Sequence, residues 1–468
     1  MTGILAKSGF LDAARFGAGM VLDPIAAMRR AGTETAQAKV MKFGLDPARN
    51  RKFIYLTGAR NVAPVLLDAE TFQTSNVSRR ARGGGAQSRL RRGLIGAQGA
   101  EHRHYRAAFI AETGKTMRER FTGAVARHID QALGGLPADR PIDLIAFIND
   151  LVRSYSVFGM YHESDIALAL KIGRDVTEWM DLAYSPGTIA FPFRLPGTPF
   201  ARFMRKSEEL EQALLEWASS RRDMDPSRDL LSRFVNGPDE NGGPLTPGRL
   251  AGHVMNLYAA SFSSSAASLI WILYLLMQHP DIAHSLCHEI EGSGMDPMSG
   301  GQDLLALPLL DQVCKEAMRL FTPVPYQVRR VTRDAEAAGI PVRRKDVIVI
   351  GTWAHNRLAD VYIEPARFWP ERWAASRAGE FDCLTFSAGP RRCVGYLLAQ
   401  IMIKVTVWSL LRQRHPRVVP HTRIDTRVAI NLRSRQPIPV IMAPRDQPFR
   451  RAPVTGTVER IYVLPGET

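Results

Sequence analysis

The sequence predicts one large domain, mainly α-helical with a minor β region, and three observations carry this. Apolar residues recur at intervals of three and four over long stretches. The clearest is Val394, Leu397, Leu398, Ile401, Val405, Trp408 and Leu411, the pattern of a helix with one buried stripe. Runs of β-type residues are few and short. No linker, repeat or low-complexity tract divides the 468 residues, and hydrophobic residues make up 45% of them, enough for a large core.

From the N-terminus, residues 53–56 with the next few read as a strand, joined by 347–350 and 438–441 into a sheet region near the N-terminus. The run SRRARGGGAQSRLRR, 78–92, carries Arg79, Arg80, Arg82, Arg89, Arg91 and Arg92 with no acidic residue. It is either a solvated basic loop kept mobile by its three glycines or a receiver for an anionic substrate, a carboxylate or one carried on an acidic protein. Residues 183–200, AYSPGTIAFPFRLPGTPF, are rich in Pro, Gly and aromatics and read as a loop. The longest apolar run, 269–277, is too short to span a bilayer. The N-terminal MTGILAKSGFLDAARF has no continuous apolar core, so no signal or membrane anchor is expected and the expected location is the cytoplasm. Cysteines 287, 314, 383 and 393 show no paired spacing, which implies reduced thiols. The net charge of +15 is spread along the chain with no nucleic-acid module, which argues against a nucleic-acid partner.

The most informative stretch is FSAGPRRCVG, 386–395. Its five fixed positions, Phe, Gly, Arg, Cys and Gly, coincide by chance on the order of once in ten million windows. Each suits a metal-bound thiolate. Such a sulfur needs backbone N–H donors, a nearby cation and the N-terminus of a helix. Gly389 and Gly395 let the backbone approach the sulfur and a flat cofactor, Phe386 can shield it, and Arg391 supplies a planar cation suited to a carboxylate. A buried free cysteine capping a core helix would need none of these.

This run resembles the haem-binding loop of the cytochromes P450, the haem-thiolate monooxygenases. Further matches extend along most of the chain, in the form of the soluble bacterial members. The resemblance implies the single-domain fold of that family over 1–445, a C-terminal extension of unknown role over 446–468, and haem b with Cys393 as its only protein ligand. Glu316 and Arg319 resemble the family's ExxR pair, which meets an arginine from a Pro-Glu-Arg turn, here Arg372 in FWPERW. By the same register His102, Arg106, Arg329 and Arg391 would hold the haem carboxylates, and 183–200 would be the mobile cover of the distal pocket. A ferredoxin or flavin-containing reductase would dock on Arg391, Arg392, His102 and Arg103, which flank the proximal elements.

One departure stands out. Where the family carries Ala or Gly, Gly, any residue, an acid and Thr, this chain has Ala260, Ser261, Phe262, Ser263 and Ser264. The acid and alcohol relay protons during oxygen activation in the family. Here Ser264 can stand in for the threonine and Ser263 cannot titrate, so Ser263 and Ser264 are the candidate catalytic residues. The relay could run through water and these serines, or a group on the substrate could supply the proton. Alternatively, the reaction could be oxidative coupling or ring formation without oxygen insertion, or the chain a haem sensor without catalysis. In the first two cases the chain is a monooxygenase oxidising a lipophilic, anionic or neutral, small molecule.

Overall fold

The computed structural model describes residues 5–7, 10–33, 35–43, 51–75, 85–161, 166–295, 306–374, 378–428 and 430–463. Its centre is the helix Pro247–Gln278. Proline at its first position presets the entry dihedral, and Pro280, opening the next helix, ends it at Gln278. Every residue from Ser265 to Gln278 on this helix is buried, so the apolar run is core on all sides. It is the one described helix long and apolar enough to cross a membrane. Here it packs against Leu144–Tyr161, Pro199–Ser219, Pro308–Leu320 and Tyr396–Gln413. Trp271 fixes its height, stacking on Phe321 at 4.5 Å while Nε1 donates to the Leu432 carbonyl at 2.9 Å.

The main sheet has six strands in the order Leu5–Lys7, Ala38–Phe43, Arg51–Leu56, Val347–Ile350, Gln327–Val331 and Phe72–Thr74. Phe53 pairs with Val347 in parallel register, and Arg329 pairs with Ile348 and Thr74, which seats that arginine in the sheet. Two expectations need correction. The first strand does not run past Leu56, because Gly58 at φ 87° turns the chain into the helix Ala59–Leu67, and a Cβ there would lie 2.2 Å from that of Ala36. The 438–441 segment is not part of this sheet either. As Pro439–Pro444 it pairs antiparallel with Arg414–Val418 and Ile142–Asp143 in a separate three-stranded sheet, because Val440 and Met442 point into the helical core.

The described residues after Arg445, 446–463, pack onto the rest of the chain. Val454–Thr455 pairs with Thr422–Arg423, Val463 N–H donates to the Ala366 carbonyl, and Tyr462 is buried beside Tyr274, His279 and Phe321. Composition could not reveal this, because the partners lie far away in sequence.

Several histidines are built in neutral. His355 accepts from Gly58 N–H through Nδ1 and donates through Nε2 to the Phe381 carbonyl, so a second proton would break the first bond. Burial holds His355 and His279 at about 4 and His253 at about 3. Between the unfolded value near 6.5 and about 4, the unfolded chain therefore binds protons that the folded chain refuses. Thermal melts should show stability falling as pH drops through that window. A melting temperature flat from pH 7 to 5 would contradict this.

Candidate active site

A cavity of about 500 Å³ lies between the central helix and the cysteine loop. One wall is Cys393, Val394 and Gly395. The opposite wall is Ala260, Ser261, Ser264, Ser265 and Ser268. Cys393 sits just ahead of the helix Tyr396–Gln413, its N–H donating to the Phe386 carbonyl at 2.9 Å, and Phe386 packs edge-on against Tyr396 at 4.8 Å. Gly389, at φ 65°, makes this turn, and a Cβ there would press on the Leu66 carbonyl at 2.9 Å. At Gly395 a Cβ would meet no atom within 4 Å, so its missing side chain leaves the cavity floor flat beside the sulfur.

The sulfur is open to the cavity but lies deep in the protein, away from bulk water. Burial pushes the thiol up, against the Gly395 N–H and the charges of Arg106 and Arg392, which favour the thiolate. A bound metal ion would add the positive charge that burial opposes.

Arg106, Arg329 and Arg391 line the same cavity, and among the described residues none of them meets a carboxylate. Arg329 is 4% exposed and reaches only Gln327 Oε1 and the Val328 carbonyl. Arg391 donates to the Ala97 carbonyl and Gln98 Oε1, leaving its buried Nε unpartnered. Burial, with Arg391 acting on Arg329 and Arg106 on Arg391, holds both down to about 10. A cluster of one buried and two half-buried arginines that meets no carboxylate among the described residues fits an anionic ligand, as the two carboxylates of a haem would be, above a flat floor that presents a sulfur.

His102 lines the cavity too, but burial and the charges of Arg391, Arg106 and Arg103 push it down to about 4. In this surrounding it is a neutral hydrogen-bonding group. Of the four basic residues expected to face a reductase, His102, Arg391 and Arg392 line the cavity, Arg392 being exposed as well, over the Tyr396 ring at 5.0 Å, and Arg103 is exposed outside the lining.

The loop is held by a buried ion-pair triad. Arg319 donates through Nε and Nη2 to the two oxygens of Glu316, each at 2.9 Å, and Arg372 Nε donates to Oε1 at 2.9 Å. Trp369 N–H and Trp373 Nε1 complete the carboxylate shell, and Arg319 Nη1 reaches the Asn356 and Pro365 carbonyls. The Asn356 side chain in turn accepts from Leu384 N–H, two residues before Phe386.

The serines separate by their bonds. Ser261 donates to the Tyr258 carbonyl at 2.8 Å, Ser263 to Ala259 at 2.9 Å and Ser268 to Ser264 at 2.9 Å. Ser263 does not line the cavity, so of the expected pair only Ser264 does. Ser264 is held by a single 3.5 Å contact to the Ala260 carbonyl and can rotate its hydroxyl into the cavity. Sequence reasoning missed Ser265, which also lines the cavity; the serine cluster was visible, but its facing depended on helix rotation.

The arginine run also resolves. Arg89 forks onto both oxygens of Glu211 at 2.6 Å, Arg92 is exposed, and Arg91 lines the cavity. Arg79, Arg80 and Arg82 lie outside the described residues. Within the expected cover, Ser185 caps the short helix Pro186–Ala190, and Tyr184 reaches the cavity.

A family model described as cytochrome P450 matches residues 48–433. Pentalenene oxygenase of Streptomyces avermitilis is 25% identical over 339 residues, 70% of this chain and 74% of its own. Cyclooctat-9-en-7-ol 5-monooxygenase of Streptomyces melanosporofaciens is 25% identical over 395 residues, 82% and 84% respectively. The solved structure of retinoic acid bound cyanobacterial CYP120A1 superposes with a TM-score of 0.75 at 20% identity, covering 86% of this chain and 91% of that one. At that identity it shares the fold.

Proposed function

The chain belongs to the cytochrome P450 family of monooxygenases, and from that premise we propose that it inserts oxygen into a lipophilic small molecule held between Cys393 and Ser264. The observation that carries this is one cavity with a thiol on one wall, a loosely held hydroxyl on the other and apolar residues such as Met180, Met255 and Leu257 beside them. Two relatives, named as oxygenases of an alkene and an alkenol, point the same way.

The bound haem supplies the oxidising chemistry. Cys393 would be its ligand. Arg106, Arg329 and Arg391 would neutralise its carboxylates, and His102 would donate a hydrogen bond as a neutral imidazole. Ser264 passes protons from water into the cavity, since its hydroxyl is the one of the former acid-alcohol pair that reaches there. The exposed Arg103 and Arg392 present a basic face beside the cysteine loop to an acidic ferredoxin or flavin-containing reductase. Electrons would enter from that side.

Reductase-driven turnover in heavy-isotope dioxygen, on a substrate found by spin-state titration, tests the reading. Label in the product is expected; oxidised product without label would favour coupling or ring formation. Ser264→Ala is expected to raise the share of reducing equivalents lost as peroxide several-fold. Unaltered coupling would remove Ser264 from proton delivery.

A further inference from the structure

The segment that follows the short helix Ala86–Arg89 lies directly against the central helix. A Cβ at Gly93 would stand 2.2 Å from the Gly252 carbonyl oxygen and 2.5 Å from the Asn256 Cβ, and one at Gly252 would stand 2.6 Å from the Arg89 carbonyl oxygen. Glycine on both sides permits this approach. Asn256 ties the seam: its Nδ2 donates to the Leu90 carbonyl at 2.9 Å and to the Gly252 carbonyl at 2.8 Å. Leu90 and Asn256 both line the cavity.

Those two bonds use both hydrogens of the amide and decide which end is which, since an oxygen turned toward two carbonyls would be repelled. Oδ1 is therefore fixed as an acceptor. It accepts from no described residue, and it is not sealed in the protein. Asn256 is only 9% exposed and lines the cavity, so the open oxygen faces that space. A partly desolvated acceptor, on a wall that also presents Leu90, Leu94, Met255 and Leu257, calls for a donor from the ligand. That donor is neutral. No Asp or Glu lines the cavity among the described residues, whereas Arg106, Arg329 and Arg391 do and oppose an ammonium group. Asn256 lies about two turns before Ser264, about 12 Å along the helix axis.

We propose that Asn256 Oδ1 accepts a hydrogen bond from a hydroxyl of the substrate, so that the substrate is a lipophilic alcohol whose hydroxyl lies remote from the carbon oxidised between Cys393 and Ser264. The inference rests on the haem-thiolate monooxygenase reading and narrows its substrate class. Asn256 sets specificity and takes no part in the chemistry. An ether oxygen at the same place would face Oδ1 acceptor to acceptor and is rejected.

The test uses probes that need no knowledge of the natural substrate. Imidazoles with an alkyl tail of eight, ten or twelve carbons anchor on haem iron and report by an absorption shift. Each is compared with its ω-hydroxy and ω-methoxy forms, of which the first can donate and the second can only accept. The holoprotein should bind the best ω-hydroxy probe about fivefold or more tighter than its ω-methoxy partner. Asn256→Ala and Asn256→Leu should each bring that ratio to about one. Loss of the tie to Leu90 alone would weaken all three kinds of probe alike and leave the ratio standing. Equal affinity for the hydroxy and methoxy probes at every length in wild type, or a ratio that survives either substitution, would overturn the hydroxyl site while leaving the haem reading intact. The wild-type comparison decides even if neither variant folds. Absence of any shift with any probe would instead overturn the haem reading, and this inference with it.

Discussion

Cys393→His is expected to abolish monooxygenase turnover and the red-shifted absorption of the reduced, CO-bound protein, while retaining some haem. Imidazole can ligate iron but does not donate charge as a thiolate does, and the loop offers no second sulfur. Cys383, the other cysteine not fully buried, lies outside the cavity lining with its sulfur against Thr385 Oγ1 at 3.5 Å. Cys383→Ser should therefore leave the spectrum unchanged. If the red-shifted band persisted in Cys393→His, the assigned ligand would be wrong.

Glu316→Ala is expected to yield chain that neither folds fully nor holds haem. The side chains of Glu316 and Arg319 are fully buried and that of Arg372 nearly so. Removing the acid strands two guanidiniums and two N–H groups, and breaking a buried pair in this way costs about 3–5 kcal/mol, a large share of a typical total of about 5–15 kcal/mol. Burial alone would raise the Glu316 value, yet the hydrogen bond and charge of Arg319, the charge of Arg372 and the Trp369 N–H outweigh it and hold the carboxyl below its ordinary range. Its contribution to stability is thus present above the unfolded value of about 4.3 and lost as pH falls through the lower folded value. Soluble expression, haem absorbance and a urea midpoint read the effect. A Glu316→Ala protein with wild-type haem content and midpoint would show that the triad is dispensable.

Much of this site was legible because its chemistry depends on fixed local spacing. The cysteine loop, ExxR and the Pro-Glu-Arg turn each state their geometry within a few residues, and the register between them placed Arg106, Arg329 and Arg391 around one cavity. What was not legible depended on rotation or on distant partners. Ser263 and Ser264 are adjacent in sequence, but about 100° of helical turn separates them and only one meets the cavity. His102 was expected to hold a haem carboxylate by charge, but burial first, and then the charges of Arg391, Arg106 and Arg103 that only the folded chain brings near, push it down to about 4. Tyr462 looked like part of a tail, yet it fills a gap against Tyr274 and Phe321.

The central claim is that Cys393 binds haem iron as a thiolate, and the absorption spectrum of the dithionite-reduced, CO-bound wild-type protein tests it most directly. The thiolate account predicts a strongly red-shifted Soret band in wild type and in Cys383→Ser, and its loss in Cys393→His. A wild-type Soret band at the unshifted position typical of imidazole-ligated haem, in protein with full haem content, would contradict it.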